Sequence, residues 1–282
     1  MHEVMALSGS PTQRASRSRP WHIACALLTS FAAAAEAAEH APPSCKLVPT
    51  ETVTVAAVID SRTVRLADGT QIRLAGLASL DTAGVASAAA VAAAQATAAL
   101  SKLTAGKSLA LQILGQDRYG RRLGFARLAG ADPAESLQHD LIARGEAVVA
   151  AQGRPPGCAK EFLAAEGVAR AARLGVWADP YYLIRQAERP AAVSEARGRF
   201  ALVEGKVLSV RDRGATIYVN FGRRWSEDFT VTIAKRNQRS FAAAGLTPKS
   251  LAGHRIRVRG WVDERGGPWI EATRPEQIEF AD

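Results

Sequence analysis

Asp68-Gly69 lies between two runs rich in β-branched residues, and few arrangements satisfy all three. Glycine accepts positive φ without steric cost, so Asp-Gly favours a tight turn that returns one strand antiparallel to another. Val53–Leu66 is rich in Val, Ile and Thr and alternates loosely, as a half-buried strand does; Gln71–Leu77 reads as the return strand. Gly84–Leu103 is Ala-dominated with apolar residues at helical spacing, and Gly106 supplies a stop. Ser108–Leu114 and Arg122–Leu128 read as strands on either side of a Tyr119-Gly120 turn. Helices are predicted over Glu135–Arg144, closed by Gly145, and over Glu161–Leu174, closed by Gly175. This order places the chain in the mainly β class with α: a five-stranded OB-type barrel carrying three helices outside it.

From Arg199 the texture changes. Phe200–Val210, Thr216–Phe221 and Phe229–Ile233 read as strands, Lys235–Ala244 as a helix, and Arg255–Val262 and Trp269–Ala272 as strands joined by Gly266-Gly267. Three strands, a helix and two strands is again an OB-type order, so a second OB-like barrel is expected. The expected organisation is residues 1–37 a signal peptide, 38–51 an N-terminal segment, 52–182 the first barrel, 183–198 a linker and 199–282 the second.

Arg14, Arg17 and Arg19 precede a short apolar run, Trp21–Ala35, and Ala35-Glu36-Ala37 fits a small-x-small cleavage site, which predicts export to a periplasmic or secreted location. The run is too short and too rich in Ala, Ser and Thr to hold a permanent span, so no stable transmembrane anchor is expected. Cleavage would remove Cys25 and leave Cys45 and Cys158, either one disulfide or two free thiols. No Cys-x-x-Cys or His spacing suggests zinc. The formal charge of +9 points to a polyanionic partner.

Four segments in order resemble the thermonuclease (staphylococcal-nuclease-like) family. Val58-Ile59-Asp60-Ser61-Arg62-Thr63-Val64-Arg65-Leu66 is similar to its IDGDTVxL strand, and Arg73-Leu74-Ala75-Gly76-Leu77-Ala78-Ser79-Leu80-Asp81 to its RLxGIDxPE segment. Asp117-Arg118-Tyr119-Gly120-Arg121 resembles its DxYGR loop, and Ala164-Ala165-Glu166 with Gly175-Val176-Trp177 its closing AExxAR…GxW pattern. The family fold is itself an OB-type barrel with three helices. Its chemistry is phosphodiester cleavage with one calcium ion, carboxylate ligands, a Glu that helps activate water, and two arginines on the scissile phosphate.

The resemblance implies that Arg73 and Arg121 are the phosphate-binding, catalytic arginines. It places Arg62 and Ala78 where the family has its two direct calcium ligands, Asp81 where it has the water-activating Glu, and Asp60 at the outer-shell acid. Arginine gives a bidentate, permanently charged clamp on phosphate, whereas calcium needs several hard oxygen ligands. At about 4 Å two unit charges interact by roughly 4 kcal/mol even at an effective dielectric of 20, so Arg62 turns an attraction for the cation into a repulsion. The metal set shrinks to Asp60 and Asp81, and no cofactor is expected; Ca2+ would enter only if the chain were an active nuclease. Arg62, Arg73 and Arg121 are expected to surround a phosphate-sized space, unless Arg62 turns to solvent or pairs with Asp60 or Asp81.

In the second segment, 16 Lys/Arg against 10 Asp/Glu lie between Arg197 and Asp282. Tyr218, Phe221, Trp225, Trp261 and Trp269 are interleaved with Arg211, Arg213, Arg223, Arg224, Arg257 and Arg259, the mixture with which OB-type barrels hold single strands. The same aromatics could instead fill a small core, as Tyr218 and Phe221 suit, and arginines on an outer strand face could simply be solvated. The expectation is an exported protein that binds DNA, RNA or another phosphate polyanion with little or no hydrolysis. Whether it is an enzyme stays open: the rivals are an active metal-dependent phosphodiesterase and an envelope scaffold or partner-binding protein.

Overall fold

The computed structural model describes residues 45, 47–78, 87–132, 135–151, 156–178 and 184–281. In the first part, β1 (Glu51–Asp60), β2 (Thr63–Leu66), β3 (Gln71–Leu74), β4 (Ser108–Gln116) and β5 (Arg122–Leu128) form a closed barrel in the order β1-β2-β3-β5-β4. β1 serves two neighbours: Glu51 to Thr54 pair with β4, and Val55 to Asp60 with β2. Two register shifts in its second half bend it, which is how a strand turns a barrel's corner. The barrel shuts where β3 runs parallel to β5, Arg73 opposite Leu123. Val64, Leu66, Ile72, Leu74, Leu109, Leu111 and Phe125 fill the interior.

The expected single strand Val53–Leu66 is two strands. Asp60 Oδ1 accepts the Arg62 backbone N–H at 2.9 Å, and this local bond folds Ser61-Arg62 into a turn that a run of β-branched neighbours does not reveal. The helices are α1 (Ser87–Thr104), α2 (Leu137–Ala143) and α3 (Pro156–Ala171). Ser136 caps α2 by accepting from His139 N at 3.0 Å. Buried Gln138 then fastens α2 to the barrel, donating to Gly124 O at 3.1 Å and accepting from Ala126 N at 3.2 Å. α3 begins and ends earlier than the predicted Glu161–Leu174, so Cys158, expected in a preceding loop, lies in its first turn and is bonded to Cys45. Gly145 lies just past α2, whereas Gly175, expected to close α3, instead opens a 3-10 turn four residues beyond it, and the two glycines pack closely: a Cβ on Gly145 would lie 2.2 Å from Leu174 O, and one on Gly175 2.3 Å from Gly145 O.

The stretch 183–198, expected as a linker, contains β6 (Ile184–Gln186) and α4 (Pro190–Ser194). β6 runs parallel to β7 (Phe200–Lys206) and extends the second sheet. β8 (Ser209–Arg213), β9 (Thr216–Asn220), β10 (Thr230–Ala234), α5 (Gln238–Ala243), β11 (Arg255–Arg265), β12 (Gly267–Glu271) and β13 (Ile278–Phe280) follow. The strand order is β6-β7-β11-β12-β10-β9-β8, with β13 on β11. β7, next to the edge strand β6, and the opposite edge strand β8 are consecutive on the chain, parted by Val207 and Leu208, whose N–H groups donate to His254 O and Asn220 O respectively. The expected strand Phe200–Val210 is thus kinked in two, and the kinked strand is shared between two partners as β1 is. β10 and β12 pair in parallel, as β3 and β5 do.

The second sheet is not a closed barrel, and it meets the first barrel in a buried seam. Ile184, Phe200 and Leu202 pack with Ala169, Val176 and Trp177. Beside them Arg259, 1% exposed, donates to Glu166 at 2.8 and 3.1 Å, to Glu279 at 3.1 Å and to Val149 O at 2.9 Å. Glu166 also accepts from Val149 N at 2.6 Å and from Arg170 at 3.3 Å. Burial opposes the charge on Arg259, but Glu166 and Glu279 outweigh it and raise its pKa. Burial likewise opposes ionisation of Glu279, and Arg259, Arg170 and Arg257 outweigh it, holding that carboxyl below the usual range. Glu166, Arg170 and Trp177, which carry the closing sequence pattern, here build the seam.

Candidate functional site

Asp117 organises the first barrel's basic end. Its Oδ1 accepts from the backbone N–H groups of Tyr119 at 2.9 Å and Arg121 at 3.1 Å, while Gly120, at φ 76°, donates its N–H to Asp117 O at 3.0 Å. The resulting loop between β4 and β5 aims Arg121 outward. Asp117 Oδ2 then accepts from Arg121 Nε at 2.7 Å and from Arg73 at 3.4 Å, so a guanidinium from the β4–β5 loop and one from β3 converge on one oxygen. Both are about one-fifth exposed, and neither has another side-chain hydrogen-bond partner among the described residues. Arg73 and Arg121 are neighbours because β3 and β5 are paired. Tyr119, 67% exposed, lies under the guanidiniums of Arg118 at 4.7 Å and Arg121 at 5.1 Å.

Arg62 is engaged differently. Its guanidinium donates to Leu77 O at 2.7 Å, the carbonyl next to buried Ala78, so it spans from its own position to the neighbouring one. It pairs with neither Asp60 nor solvent alone. One oxygen of Asp60 is occupied by the turn it makes with Arg62 N. Asp81 lies outside the described residues. Among the described residues no group of three or more His, Cys, Asp or Glu could hold a metal ion. Asp117 was absent from the candidate residues read from the sequence, although its place in Asp117-Arg118-Tyr119-Gly120-Arg121 could have found it: a carboxylate two residues before a turn commonly captures the backbone N–H groups beyond it.

Around the second sheet the interleaved aromatics and arginines separate into three groups. Phe221 is core, packed on Phe229 with ring centroids 5.0 Å apart. Arg257 and Arg259 are consumed at the seam, Arg257 reaching Glu204 at 2.5 Å and Glu279 at 2.9 Å. Trp261 lies half-exposed on β11, opposite Phe200. Tyr218, Trp225 and Trp269 instead line adjoining depressions with Arg211, Arg213 and Arg223. Tyr218, which suited a core position, faces out because its neighbours Ile217 and Val219 take the inward positions of β9.

No curated protein matches this chain. Residues 71–179 match the family model described as "Staphylococcal nuclease homologue", a span that holds Arg73, Ala78, Asp117, Arg121, Glu166 and Trp177 and begins after β1 and β2. The closed barrel of mixed pairing around that span is consistent with the fold of that family, so residues 71–179 carry a staphylococcal nuclease homologue domain, and a second sheet follows C-terminally.

Proposed function

We propose that this is a nuclease-like nucleic-acid-binding protein whose first barrel grips phosphate through Arg73 and Arg121 with little or no hydrolysis. The carrying observation is the convergence of both guanidiniums on Asp117 Oδ2, with no other side-chain partner for either among the described residues. Donors fixed in advance suit a phosphate, whose charge and geometry match a pair of arginine forks. Asp117 keeps the pair together when no anion is present and prevents two like charges from splaying.

The donor set around positions 62 and 78 does not suit calcium. A guanidinium and a methyl group stand where carboxylates would be needed, and the Arg62 guanidinium is held there by Leu77 O. We also place the protein in an oxidising compartment, outside the cytoplasm. The Cys45–Cys158 disulfide supports that location, since such bonds persist there; residues 1–37, read as the leader, lie outside the described residues. Among the described residues no helix is long and apolar enough to cross a membrane.

The test is to incubate the protein with labelled single- and double-stranded DNA and RNA, with calcium, magnesium, manganese or chelator. Cleavage is followed on gels and binding by anisotropy across a salt series. Salt-sensitive binding without cleavage, weakened in Arg73→Ala and Arg121→Ala, is the expected result. Metal-dependent cleavage that disappears in Arg121→Ala would establish a working nuclease and overturn the proposal. Absence of both binding and cleavage would leave the fold as a scaffold.

A further inference from the structure

We infer a second nucleic-acid site, on the outer face of β8-β9-β10-β12, built to hold unpaired bases. Two adjoining depressions of about 800 and 440 Å³ share Tyr218, Asn220 and Trp225, and each is large enough for a ligand of nucleotide size. Trp225, in the loop between β9 and β10, is 74% exposed. A tryptophan left this open has no packing duty, and together with Tyr218 and Trp269 it offers flat π-faces along one strip of sheet.

Charge decides the class of ligand. Most arginines near the seam are tied to carboxylates, yet Arg211, Arg213 and Arg223 make no ion pair or side-chain hydrogen bond with any described residue, and all three are exposed. Asp212, the carboxylate among them, is neutralised from outside by Lys235 at 2.6 Å. Arg265 lies over the Trp269 ring at 4.5 Å, adding a stacked cation at the far end, where Glu271 is the other carboxylate. A cationic strip beside aromatic faces complements a chain of phosphates and bases.

An independent observation points the same way. Thr230 and Trp269 are direct neighbours on paired strands and line this groove, and Thr230 Oγ1 and Trp269 Nε1 are both buried without a hydrogen-bond partner among the described residues. A buried donor with no acceptor is destabilising, so such groups commonly mark where a ligand completes the bonding. Both atoms lie beneath the groove's surface, so a ligand would satisfy them only with a local shift of the lining, in which Arg265 covers the Trp269 ring. Stacking needs exposed base faces, so the groove should prefer single strands to duplex.

The inference does not depend on the first-barrel reading. Anisotropy with fluorescent dT15, rU15 and a 15-base-pair duplex would be measured on the full chain. Its variants are Trp225→Ala, the double variant Arg211→Ser/Arg213→Ser, and, as the first-barrel control, Arg73→Ala/Arg121→Ala. Trp225→Ala, at an exposed loop position, should weaken dT15 or rU15 binding about ten-fold or more and erase the preference over duplex. Removing Arg211 and Arg213 should lower the slope of log affinity against log salt by about two phosphate contacts, for all sequences alike. The first-barrel control should retain single-strand preference; if it alone abolishes binding, the groove is not a site. Single-strand affinity unchanged in Trp225→Ala and in the arginine double variant would overturn the inference, as would a groove that takes a proline-rich peptide and ignores oligonucleotides.

Discussion

The first barrel and the second sheet are built to a similar plan and spend their arginines differently. Each has a strand bent between two neighbours, β1 in one and β7-β8 in the other, and each holds one parallel pair among antiparallel ones, β3-β5 closing the first barrel and β10-β12 lying inside the second sheet. In the first barrel three partly buried arginines are held by carboxylates, Arg73 and Arg121 by Asp117 and Arg122 by Glu51, while exposed Arg65 and Arg118 have none among the described residues. In the second sheet, one face has its arginines buried in a seam while another leaves three of them open beside tryptophan. Net positive charge alone therefore says little about ligand binding. What distinguishes a binding surface from a structural one is whether a guanidinium keeps N–H groups free for a ligand, as Arg73 and Arg121 do beside Asp117 and as Arg259, bonded to Glu166, Glu279 and Val149 O, does not.

The contrast also appears in covalent terms, because only the first barrel carries a disulfide. Cys45 and Cys158 close a loop of 113 residues, and a loop that long is worth about 4.7 kcal/mol in the chain-entropy account. Cys45→Ser with Cys158→Ser should therefore lower stability by about 4 kcal/mol in urea. If the seam makes the two sheets one unit, the fluorescence of both should be lost in a single transition at a lower midpoint. A loss confined to the first barrel would show that the two sheets unfold separately.

The seam is the next largest effect. Arg259→Leu leaves Glu166, fully buried, without its main cation, and removing one partner of a buried pair costs about 3–5 kcal/mol. Replacing both, Glu166→Gln with Arg259→Leu, should recover part of that loss. Equal destabilisation by the single and double variants in urea titrations would mean that packing of the arginine stem, rather than its charge, holds the two sheets together.

Much of this plan was legible beforehand. Asp68-Gly69 gave the first hairpin its turn, and Gly106 and Gly145 lie just beyond helix ends. The alternation of β11 correctly put Ile256, Val258 and Val262 on the core face. What alternation cannot tell is what covers the opposite face, so Arg257 and Arg259 read as solvated or ligand-seeking when Arg259 is buried against Glu166 of α3 and Arg257 is paired with Glu204 and Glu279. The β6 strand escaped because three polar-flanked residues added to a sheet edge leave no periodic trace. At the first-barrel site, sequence placed Arg73 and Arg121 but not the bond between Arg62 and Leu77 O, which depends on the Ser61-Arg62 turn.

Asp117 offers a sharper test of how the first barrel uses its arginines. By charge alone, Asp117→Ala should strengthen anion binding, since it removes a carboxylate from the site. The geometry predicts the opposite. Asp117 supplies the acceptors for Tyr119 N and Arg121 N and the point on which both guanidiniums converge, and a hydrogen bond of this kind contributes about 1 kcal/mol. Binding of oligonucleotide should fall about ten-fold in anisotropy, with the salt slope little changed. Tighter binding would show that Asp117 merely blocks the site, and would make the two sheets alike in wanting unpaired arginines.

The smallest expected effect is with pH. Burial alone would raise the pKa of Glu279, but Arg259, Arg170 and Arg257 overcome it and the folded value lies below the ordinary one. Between the lowered value and the unfolded value of about 4.3, the unfolded chain binds more protons than the folded one. Stability from this carboxylate is thus complete above about pH 4.3 and is lost as pH falls towards and through the folded value. Glu279→Gln should be less stable than the parent near neutral pH, and the two should approach each other in urea midpoint as the solution is acidified below pH 4. Parallel pH profiles would remove Glu279 from the seam's electrostatics and leave Glu166 as the sole counter-charge of Arg259.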